Sequence, residues 1–320
     1  MIDALGRKIN YLRVSVTDLC NLRCRYCMPI EGIRKMSHNQ ILSLEEIFKV
    51  VEAAVDLGIN KVRLTGGEPL VRKGILQLVE KIATLNGVDD LALTTNGLLL
   101  KKYAKDLKDV GLKRVNISLD TMNKEKYHEI TRGGDLIEVF EGIEAAKNVS
   151  LCPIKINIVV IGGFNDNEIV DFAELTKEGI DVRFIELMPI GQASSWSKSH
   201  FISNDAIKAK LPDLIPETDG DKSSPASYYR LTGASGKIGF INSISSHFCR
   251  YCNRIRLTAD GKLKPCLHSN QEIDIKPFIR QGKKELTGAI RDAILAKPTE
   301  HSLNETNNKP IIRDMVRIGG

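Results

Sequence analysis

Three cysteines near the amino terminus have the residue type and the spacing that bind iron. They are spaced Cys20-x-x-x-Cys24-x-x-Cys27 and follow directly on an extended run that ends at Val16. Cysteine thiolates are the usual protein ligands of iron–sulfur clusters. Three thiolates on a four-iron cluster leave one iron open, where a small molecule can bind and take an electron. The spacing therefore favours a redox cluster that binds a guest molecule.

A second group of three cysteines lies towards the carboxyl terminus. Cys249 and Cys252 are separated by two residues, and Cys266 follows after thirteen more. Zinc is the alternative metal for both groups. It is weak for the first group, because structural zinc takes four protein ligands and no fourth one lies close by. The second group together with His268 would make a zinc site of three cysteines and one histidine, so spacing alone leaves both metals open there.

The remaining composition is that of an intracellular enzyme. Six of the seven cysteines fall in the two tight groups, which favours metal chemistry in a reducing cytoplasm over a disulfide framework, and Cys152 is expected to be buried or half-buried. No run approaches the roughly 18 apolar residues of a membrane span, and the charged start is unlike a signal peptide. The net charge of +6 is compatible with an anionic ligand. An aromatic content of only 5% argues against nucleic-acid binding.

The order of predicted elements is that of parallel βαβ units. Six strands are predicted, at residues 12–16, 61–64, 91–94, 114–119, 154–160 and 182–187. Helices are predicted between them, at residues 43–57, 74–85, 98–110, 135–147 and 167–178. Six such units make an incomplete barrel or an open doubly wound sheet. The glycines after the second strand do not fit the dinucleotide fingerprint, so a Rossmann fold is disfavoured.

Alternation within the strands separates an apolar face from a polar one. The apolar face, represented by Val62 and Leu64, suits the layer of covering helices. The opposite face carries polar and basic side chains, namely Arg13, Arg63, Asn116, Ser118, Lys155 and Asn157. In a barrel these side chains point into the lumen, where branched aliphatic residues normally form the core. A basic lumen predicts an enclosed anionic substrate; the alternative is a solvent-facing antiparallel sheet.

The loops after the first two strands carry a resemblance. The first cysteine group follows the first strand, and residues 66–69, Gly-Gly-Glu-Pro, follow the second. This order resembles the radical S-adenosylmethionine (SAM) superfamily, in which the amino and carboxylate groups of SAM chelate the open iron. Glycines suit such a turn because backbone approaches a ligand closely only without a Cβ. The resemblance implies an α/β fold, an incomplete (βα)6 TIM-like barrel with a carboxyl-terminal extension that carries a second iron–sulfur cluster.

Further motifs are similar to the GTP 3′,8-cyclase family of molybdenum cofactor biosynthesis, over essentially the whole chain. Besides the two cysteine groups they are residues 13–18, 63–69, 93–97, 116–120 and 183–188, Arg254 with Arg256, and the terminal Gly319-Gly320. The two arginines alternate along a strand-like run, either as a fork for phosphate oxygens or as charges on an edge strand. The resemblance implies conversion of GTP into (8S)-3′,8-cyclo-7,8-dihydro-GTP through a 5′-deoxyadenosyl radical, which is the first step of that pathway.

The same resemblance implies residue roles, position by position. Two 4Fe–4S clusters would be held by Cys20, Cys24 and Cys27 and by Cys249, Cys252 and Cys266. The SAM pocket would be lined by Tyr26, Gly67, Ser118 and Met188, with Asn96 and Thr94 near the boundary between SAM and the substrate. GTP would be contacted by Arg13, Arg63, Lys155, Arg254 and Arg256. Productive radical chemistry would depend on Arg13, Gly319 and Gly320.

Domains and partners complete these expectations. Residues 1–212 are predicted to form the partial barrel, 213–237 a linker or hairpin, and 238–320 the second cluster region with its Gly-Gly tail. The family implies GTP, a reductant protein of the flavodoxin or ferredoxin type and the downstream cyclic pyranopterin monophosphate synthase as partners, and allows a homodimer. Two alternatives stay open: another radical SAM enzyme with an auxiliary cluster, such as a peptide-modifying one, and a zinc-stabilised binding module.

Overall fold

A sheet of twelve strands organises the part of the chain that the computed structural model describes, which is residues 1–218, 221–246, 248–301, 303, 311 and 313–319. The strands are β1 (Tyr11–Ser15), β2 (Lys61–Thr65), β3 (Asp90–Thr95), β4 (Arg114–Ser118), β5 (Lys155–Val160), β6 (Asp181–Glu186), β7 (Leu214–Pro216), β8 (Ala226–Leu231), β9 (Ile238–Ile241), β10 (Arg254–Leu257), β11 (Lys262–Lys264) and β12 (Ile273–Asp274). Each of the six predicted strands is confirmed to within one residue at either end.

Strands β1 to β6 are parallel and lie side by side in chain order. Two more parallel strands extend them, because β10 pairs with β1 and β9 pairs with β6. Antiparallel strands then flank each side, β11 and β12 beyond β10 and β8 and β7 beyond β9. The order is linear, with β12 and β7 at its edges, so the described strands form an incomplete barrel, as predicted.

The structure describes ten α-helices, most of which cover the outside of the sheet. They are α1 (Leu44–Asp56), α2 (Ile75–Ala83), α3 (Leu100–Asp109), α4 (Lys124–Thr131), α5 (Leu136–Asn148), α6 (Ile169–Glu174), α7 (Asn204–Lys208), α8 (Lys276–Gln281), α9 (Lys283–Leu295) and α10 (Met315–Ile318). The five predicted helices are confirmed, the last of them ending in a 3-10 turn over Leu175–Glu178. Helix α4 was not predicted. None of the described helices is long and apolar enough to cross a membrane.

Local signals explain where α1 begins and what it packs against. Ser43 and Glu46 form a capping box, in which Ser43 Oγ accepts from the Glu46 amide at 3.1 Å and Glu46 Oε2 accepts from the Ser43 amide at 2.8 Å. Ile47 on this helix is buried in the same core cluster as Val62 and Leu64 of β2. The apolar strand face therefore lies under the helices, and the polar face is turned towards the lumen.

Two sequence predictions away from the barrel have different outcomes. Residues 213–237 include β7 and β8, an antiparallel hairpin at one edge of the sheet, and the proposed domain boundaries around them stay a prediction. The prediction for Cys152 was wrong, since this residue is exposed. Cys152 lies directly before Pro153 in the connection between α5 and β5, and none of the described elements covers it.

Candidate active site

A cavity of about 610 Å³ lies inside the barrel and is lined by both cysteine groups. Cys20 follows β1, whereas Cys252 precedes β10, which is parallel to β1. Cys266 follows β11, which runs antiparallel to β10. The two groups therefore lie at opposite ends of neighbouring strands, and they face each other across one cavity. Of the predicted site residues that the structure describes, all but Gly319 line this cavity.

The turn after β2 packs against the backbone that leads into the first cysteine group. The Gly67 amide donates to the Thr17 carbonyl at 2.7 Å. A Cβ on Gly67 would lie 2.2 Å from the carbonyl oxygen of Leu19, which no side chain tolerates. Glycine is thus required here by the cysteine loop itself, a reason that the sequence does not reveal, in addition to the close approach of a ligand.

Glu68 ties this turn to the end of β3. Its buried carboxyl group accepts hydrogen bonds from Thr95 Oγ1 at 2.8 Å and from the Asn96 amide at 2.7 Å. Burial raises the pKa of Glu68 to about 7, against the opposing effect of these hydrogen bonds. The Asn96 side-chain amide in turn lies 3.9 Å from Cys20 Sγ. Sequence analysis gave Glu68 no role, although its place in the motif singled it out.

The other predicted SAM residues line the same end of the cavity. Tyr26 Oη donates to Asp120 Oδ2 at 2.7 Å, and Asp120 Oδ1 accepts from the Val159 amide at 2.8 Å. Burial raises the pKa of Asp120 to about 6. Ser118 ends β4 on the same wall, and Met188 Sδ lies 3.0 Å from His268 Nε2. The structure thus brings these predicted residues together, while their roles stay proposals.

The first cysteine group suits a metal cluster better than free thiols. Burial raises the pKa of Cys20 to about 11, and that of Cys24 and of Cys27 also well above its ordinary value. Such thiols stay protonated at neutral pH unless bound metal stabilises the thiolates. In the described part of the chain, no three His, Cys, Asp or Glu side chains are arranged to hold one metal ion. The spacing of three thiolates with no fourth protein ligand close by in the sequence remains the reason to favour a cluster over zinc here.

The second cysteine group has a more positive environment. Burial alone would raise the pKa of Cys252, but the charges of Lys297 and Arg254 outweigh it and the pKa is lowered. Burial raises the pKa of Cys249. These cysteines fit a cluster whose negative charge is balanced by cations nearby.

Three arginines form a row across the middle of the lumen. Arg256 on β10 is the register partner of Arg13 on β1, and Arg13 is the partner of Arg63 on β2. Like charges side by side on neighbouring strands destabilise a sheet. Burial is the largest cause that lowers the pKa of Arg13 to about 9, and the charge of neighbouring arginines adds to it. Burial also lowers the pKa of Arg63 to about 9 and that of Arg256 to about 10. The row therefore needs an anion to offset its charge.

Several guanidinium donors in this lumen have no partner among the described residues. They are the buried Nε atoms of Arg13, Arg63 and Arg183 and the buried Nη1 atom of Arg254. Thr94 Oγ1 is likewise buried and unpartnered. Buried polar groups are normally hydrogen-bonded, so these atoms indicate a ligand that accepts several hydrogen bonds.

Arg183 is a lumen cation that sequence analysis missed, and it differs from Lys155 in its ionic partners. Lys155 Nζ forms an ion pair with Asp181, whereas Arg183 has no carboxylate partner among the described residues. Arg183 is the register partner of Asn157 on β5, so the alternation that selected Asn157 could also have selected Arg183 on β6. The motif at 183–188 was recognised, but its first residue was given no role.

The carboxyl-terminal segment reaches the arginine row. The Gly319 carbonyl oxygen accepts hydrogen bonds from Arg13 Nη2 at 3.3 Å and from Arg256 Nη1 at 3.1 Å. Gly319 has a φ of +81°, which suits glycine, and a Cβ there would lie 3.0 Å from Ser15 Cβ. The predicted role of Gly320 falls outside the described residues. The segment that carries Gly319 therefore lies against the candidate substrate site.

A parallel partial barrel with a cysteine group after its first strand and a Gly-Gly-Glu turn after its second defines a radical SAM protein. Residues 14–176 match the model of the Radical SAM superfamily, and residues 180–303 match that of Molybdenum Cofactor Synthesis C. A GTP 3′,8-cyclase of Alkaliphilus oremlandii is 56% identical over the full length of both chains. One of Peptoclostridium acidaminophilum is 56% identical over 100% of this chain and 98% of its own. The chain belongs to the GTP 3′,8-cyclase family.

Solved structures share the fold at low sequence identity. SuiB of Streptococcus suis bound to S-adenosylmethionine superposes with a TM-score of 0.64 and 16% identity, over 97% of this chain and 77% of SuiB. SuiB bound to its precursor peptide SuiA gives a TM-score of 0.63 at 15% identity, over 98% and 76% of the two chains. At this identity the likeness shows the fold alone, which confirms the predicted radical SAM barrel with its carboxyl-terminal extension.

Proposed function

We propose that this protein is a GTP 3′,8-cyclase, which converts GTP into (8S)-3′,8-cyclo-7,8-dihydroguanosine 5′-triphosphate in the first step of molybdenum cofactor biosynthesis. The observation that carries the proposal is the row formed by Arg256, Arg13 and Arg63, which lies in one cavity between two cysteine groups. A triphosphate supplies both the negative charge and the acceptor oxygens that this row lacks.

The cofactors are SAM and two 4Fe–4S clusters. Cys20, Cys24 and Cys27 hold the cluster that binds SAM, and Cys249, Cys252 and Cys266 hold the second one. When bound, the first cluster and SAM would supply a 5′-deoxyadenosyl radical able to remove the 3′ hydrogen of GTP; after the sugar carbon joins C8 of the guanine, one electron from the reductant and one proton would complete the 7,8-dihydro product. The cysteine-loop end of the cavity receives SAM, and its proposed contacts are Tyr26, Gly67, Asn96, Ser118 and Met188.

The arginine row binds the triphosphate and so fixes the sugar between the two cofactors. Guanidinium groups bind phosphate oxygens in pairs, which restricts rotation as well as position. Arg254, Thr94 and Lys155 complete the proposed contacts, and Arg183 adds a guanidinium whose buried Nε atom has no partner among the described residues. Holding reacting atoms about 3–3.5 Å apart provides much of the rate of such a reaction.

The carboxyl-terminal segment has a positioning role in this proposal. Its Gly319 carbonyl accepts hydrogen bonds from Arg13 and Arg256 and so helps to orient both guanidinium groups. Gly319 helps to enclose the site, a role that the family resemblance implies for Gly320 as well, and enclosure keeps water and protein groups away from a reactive radical. Arg13 therefore contacts both the substrate and the tail.

The proposal also includes a cellular setting. A flavodoxin- or ferredoxin-type protein delivers the electron, and cyclic pyranopterin monophosphate synthase takes up the product in the cytoplasm. A homodimer is compatible with these roles.

Anaerobic incubation of the reconstituted protein with SAM, GTP and dithionite tests the activity. Mass analysis is expected to show 5′-deoxyadenosine and the cyclised nucleotide in equal amounts. Product must be absent when GTP is replaced by a peptide, which separates this function from that of a peptide-modifying radical SAM enzyme. Protein that contains zinc but no iron, or that cleaves SAM without forming the nucleotide product, would overturn the proposal.

A further inference from the structure

We propose that Arg7 and Lys297 form a buried clamp that holds the three cysteines of the second group in place for their cluster. Arg7 lies in the amino-terminal segment, outside both matched family ranges, and Lys297 follows α9. The inference rests on the proposed second cluster and concerns what fixes its ligands. These cysteines come from two separate segments, so something other than chain connectivity must set their spacing.

Arg7 connects the first of these segments to the chain after α9. Arg7 is 7% exposed, and its guanidinium donates from Nη1 to the Cys249 carbonyl at 3.0 Å and to the Thr299 carbonyl at 3.2 Å. From Nη2 it donates to the Pro298 carbonyl at 2.8 Å and to the Lys297 carbonyl at 3.3 Å. One buried side chain thus crosslinks a cysteine-bearing loop to the 297–299 segment.

Asp3 fixes the orientation of Arg7. Its Oδ2 accepts from Arg7 Nε at 2.6 Å, and its Oδ1 accepts from the backbone amides of Leu5 and Arg7 at 3.0 and 2.9 Å. Asp3 is 6% exposed, so the pair is buried. Moving the guanidinium away from Asp3 would leave an uncompensated buried charge, which is costly. The ion pair therefore holds the guanidinium in one position.

Lys297 connects the other two ligand positions. Its ammonium group donates to the Arg254 carbonyl at 2.9 Å and to the Pro265 carbonyl at 2.8 Å. Arg254 follows Cys252 by two residues, and Pro265 directly precedes Cys266. A single Nζ atom therefore joins both segments that carry the second group.

The two cations act on one another as well as on the loops. Arg7 binds the Lys297 carbonyl, so the backbone that carries the ammonium is itself held by the guanidinium. Lys297 is 6% exposed and forms no ion pair with a carboxylate in the described part of the chain. A buried ammonium without a carboxylate is costly unless another anion balances it. A cluster with three thiolate ligands is such an anion, so the clamp positions the ligands and also supplies a positive charge beside them.

The test compares Arg7→Met and Lys297→Met with wild type after anaerobic reconstitution. Wild type is expected to hold about eight irons per chain and each variant about four, because each cluster contributes four. The reduced variants should keep the electron paramagnetic resonance signal and SAM cleavage of the first cluster. Arg230→Met is the matched control, since Arg230 also pairs with a carboxylate and donates to two carbonyls, but in β8. It should keep about eight irons.

A second measurement separates positioning from general stability. In any fraction of Lys297→Met that keeps the second cluster, its midpoint potential should become more negative, because a nearby positive charge has been removed. Lys297→Arg should restore the potential. If Arg7→Met does not fold, Arg7→Lys decides, since an ammonium cannot reach all four carbonyls and should still lower the second cluster's occupancy.

Two results would contradict different claims. The clamp would be overturned by two findings together. The first is full iron content in Arg7→Met, or in Arg7→Lys if Arg7→Met does not fold. The second is an unchanged electron paramagnetic resonance signal and midpoint potential in Lys297→Met. Wild-type protein with only one cluster, or with zinc at the second group, would instead overturn the proposed function. The two failures are thus distinguished before any cyclase activity is measured.

Discussion

The Gly319 carbonyl oxygen accepts a hydrogen bond from Arg256 Nη1 at 3.1 Å, which joins the end of the chain to the middle of the barrel. Arg256 also borders Arg13 in the row that we propose binds the triphosphate. One guanidinium thus faces the tail and the substrate site together. In the proposed function this arrangement would couple closure of the site by the tail to binding of the nucleotide.

Replacing Arg256 by alanine should reduce GTP turnover at least about tenfold, since a hydrogen bond to a charged group contributes about 1.5–3 kcal/mol. Iron content should not change, because Arg256 donates to the tail rather than to either cysteine group. The measurements are GTP affinity, product formation and iron analysis. Arg280→Ala, which alters an exposed arginine of α8, is the control. Unchanged affinity and turnover would reject the assigned role.

Arg313 anchors the tail through two carboxylates. Its guanidinium binds both oxygens of Asp260 at 2.8 and 3.0 Å and both oxygens of Glu272 at 2.5 and 2.8 Å. Arg313→Met should release the segment that carries Gly319 and lower turnover, while both clusters are retained. We expect no further loss when Gly319→Ala is added, because both changes displace the same carbonyl.

Product formation by the single and double variants of the tail measures this coupling. Lys262→Met removes an exposed pair with Asp274 and is the matched control. Additive losses from Arg313→Met and Gly319→Ala would show that Arg313 acts elsewhere.

Arg183 should contribute to GTP binding although its motif gave no such indication. Its buried Nε atom has no partner among the described residues, so a phosphate oxygen can satisfy it. Arg183→Met should raise KM for GTP roughly tenfold with a smaller change in kcat, as expected for a contact made equally in the ground and transition states. Arg230→Met serves as the control. Steady-state kinetics that show an unaltered KM would argue against phosphate contact.

Glu68 should make stability depend on pH. Its folded-state pKa of about 7 lies above the ordinary value of 4.5, so the folded protein holds a proton that the unfolded chain releases. The contribution of Glu68 to the free energy of unfolding is therefore full below about pH 4.5. It is lost as the pH rises towards about 7, and the loss amounts to about 3 kcal/mol. Glu68→Gln should lack this contribution.

The free energy of unfolding of wild type and of Glu68→Gln is measured by anaerobic urea unfolding at about pH 5 and about pH 8. Thermodynamic linkage requires the wild type to lose more stability than Glu68→Gln between these conditions. An equal loss in both would mean that Glu68 is already ionised in the folded protein at the lower pH.

Periodicity predicted most of the barrel. Alternation along β1, β2 and β5 placed Arg13, Arg63 and Lys155 in the lumen, because a strand side chain can face only one of two sides. Helix α4 was missed, and its sequence is polar apart from a few residues such as Tyr127 and Ile130, so its apolar stripe is weak. The family resemblance supplied the roles that periodicity could not.

Contacts between distant segments lay beyond sequence reasoning. Nothing near Arg7 in the chain indicates that its partners are the carbonyls of Cys249 and residues 297–299, about 240 to 290 positions away. Periodicity also gives the direction of a side chain but not its ionic partner. For that reason it grouped Lys155 with the free cations, although Asp181 already pairs with it.

The register between β1 and β10 also constrains how this chain can change. Sliding β10 by one position would turn Arg256 away from the lumen, because neighbouring strand residues face opposite sides. The same slide would move Cys252 relative to Cys20, since each lies just beyond an end of these strands. Insertions are therefore tolerable in the outer connections but not within β1 or β10. A carboxyl-terminal half taken from another enzyme would function only if it kept the same residue-by-residue pairing of β10 with β1.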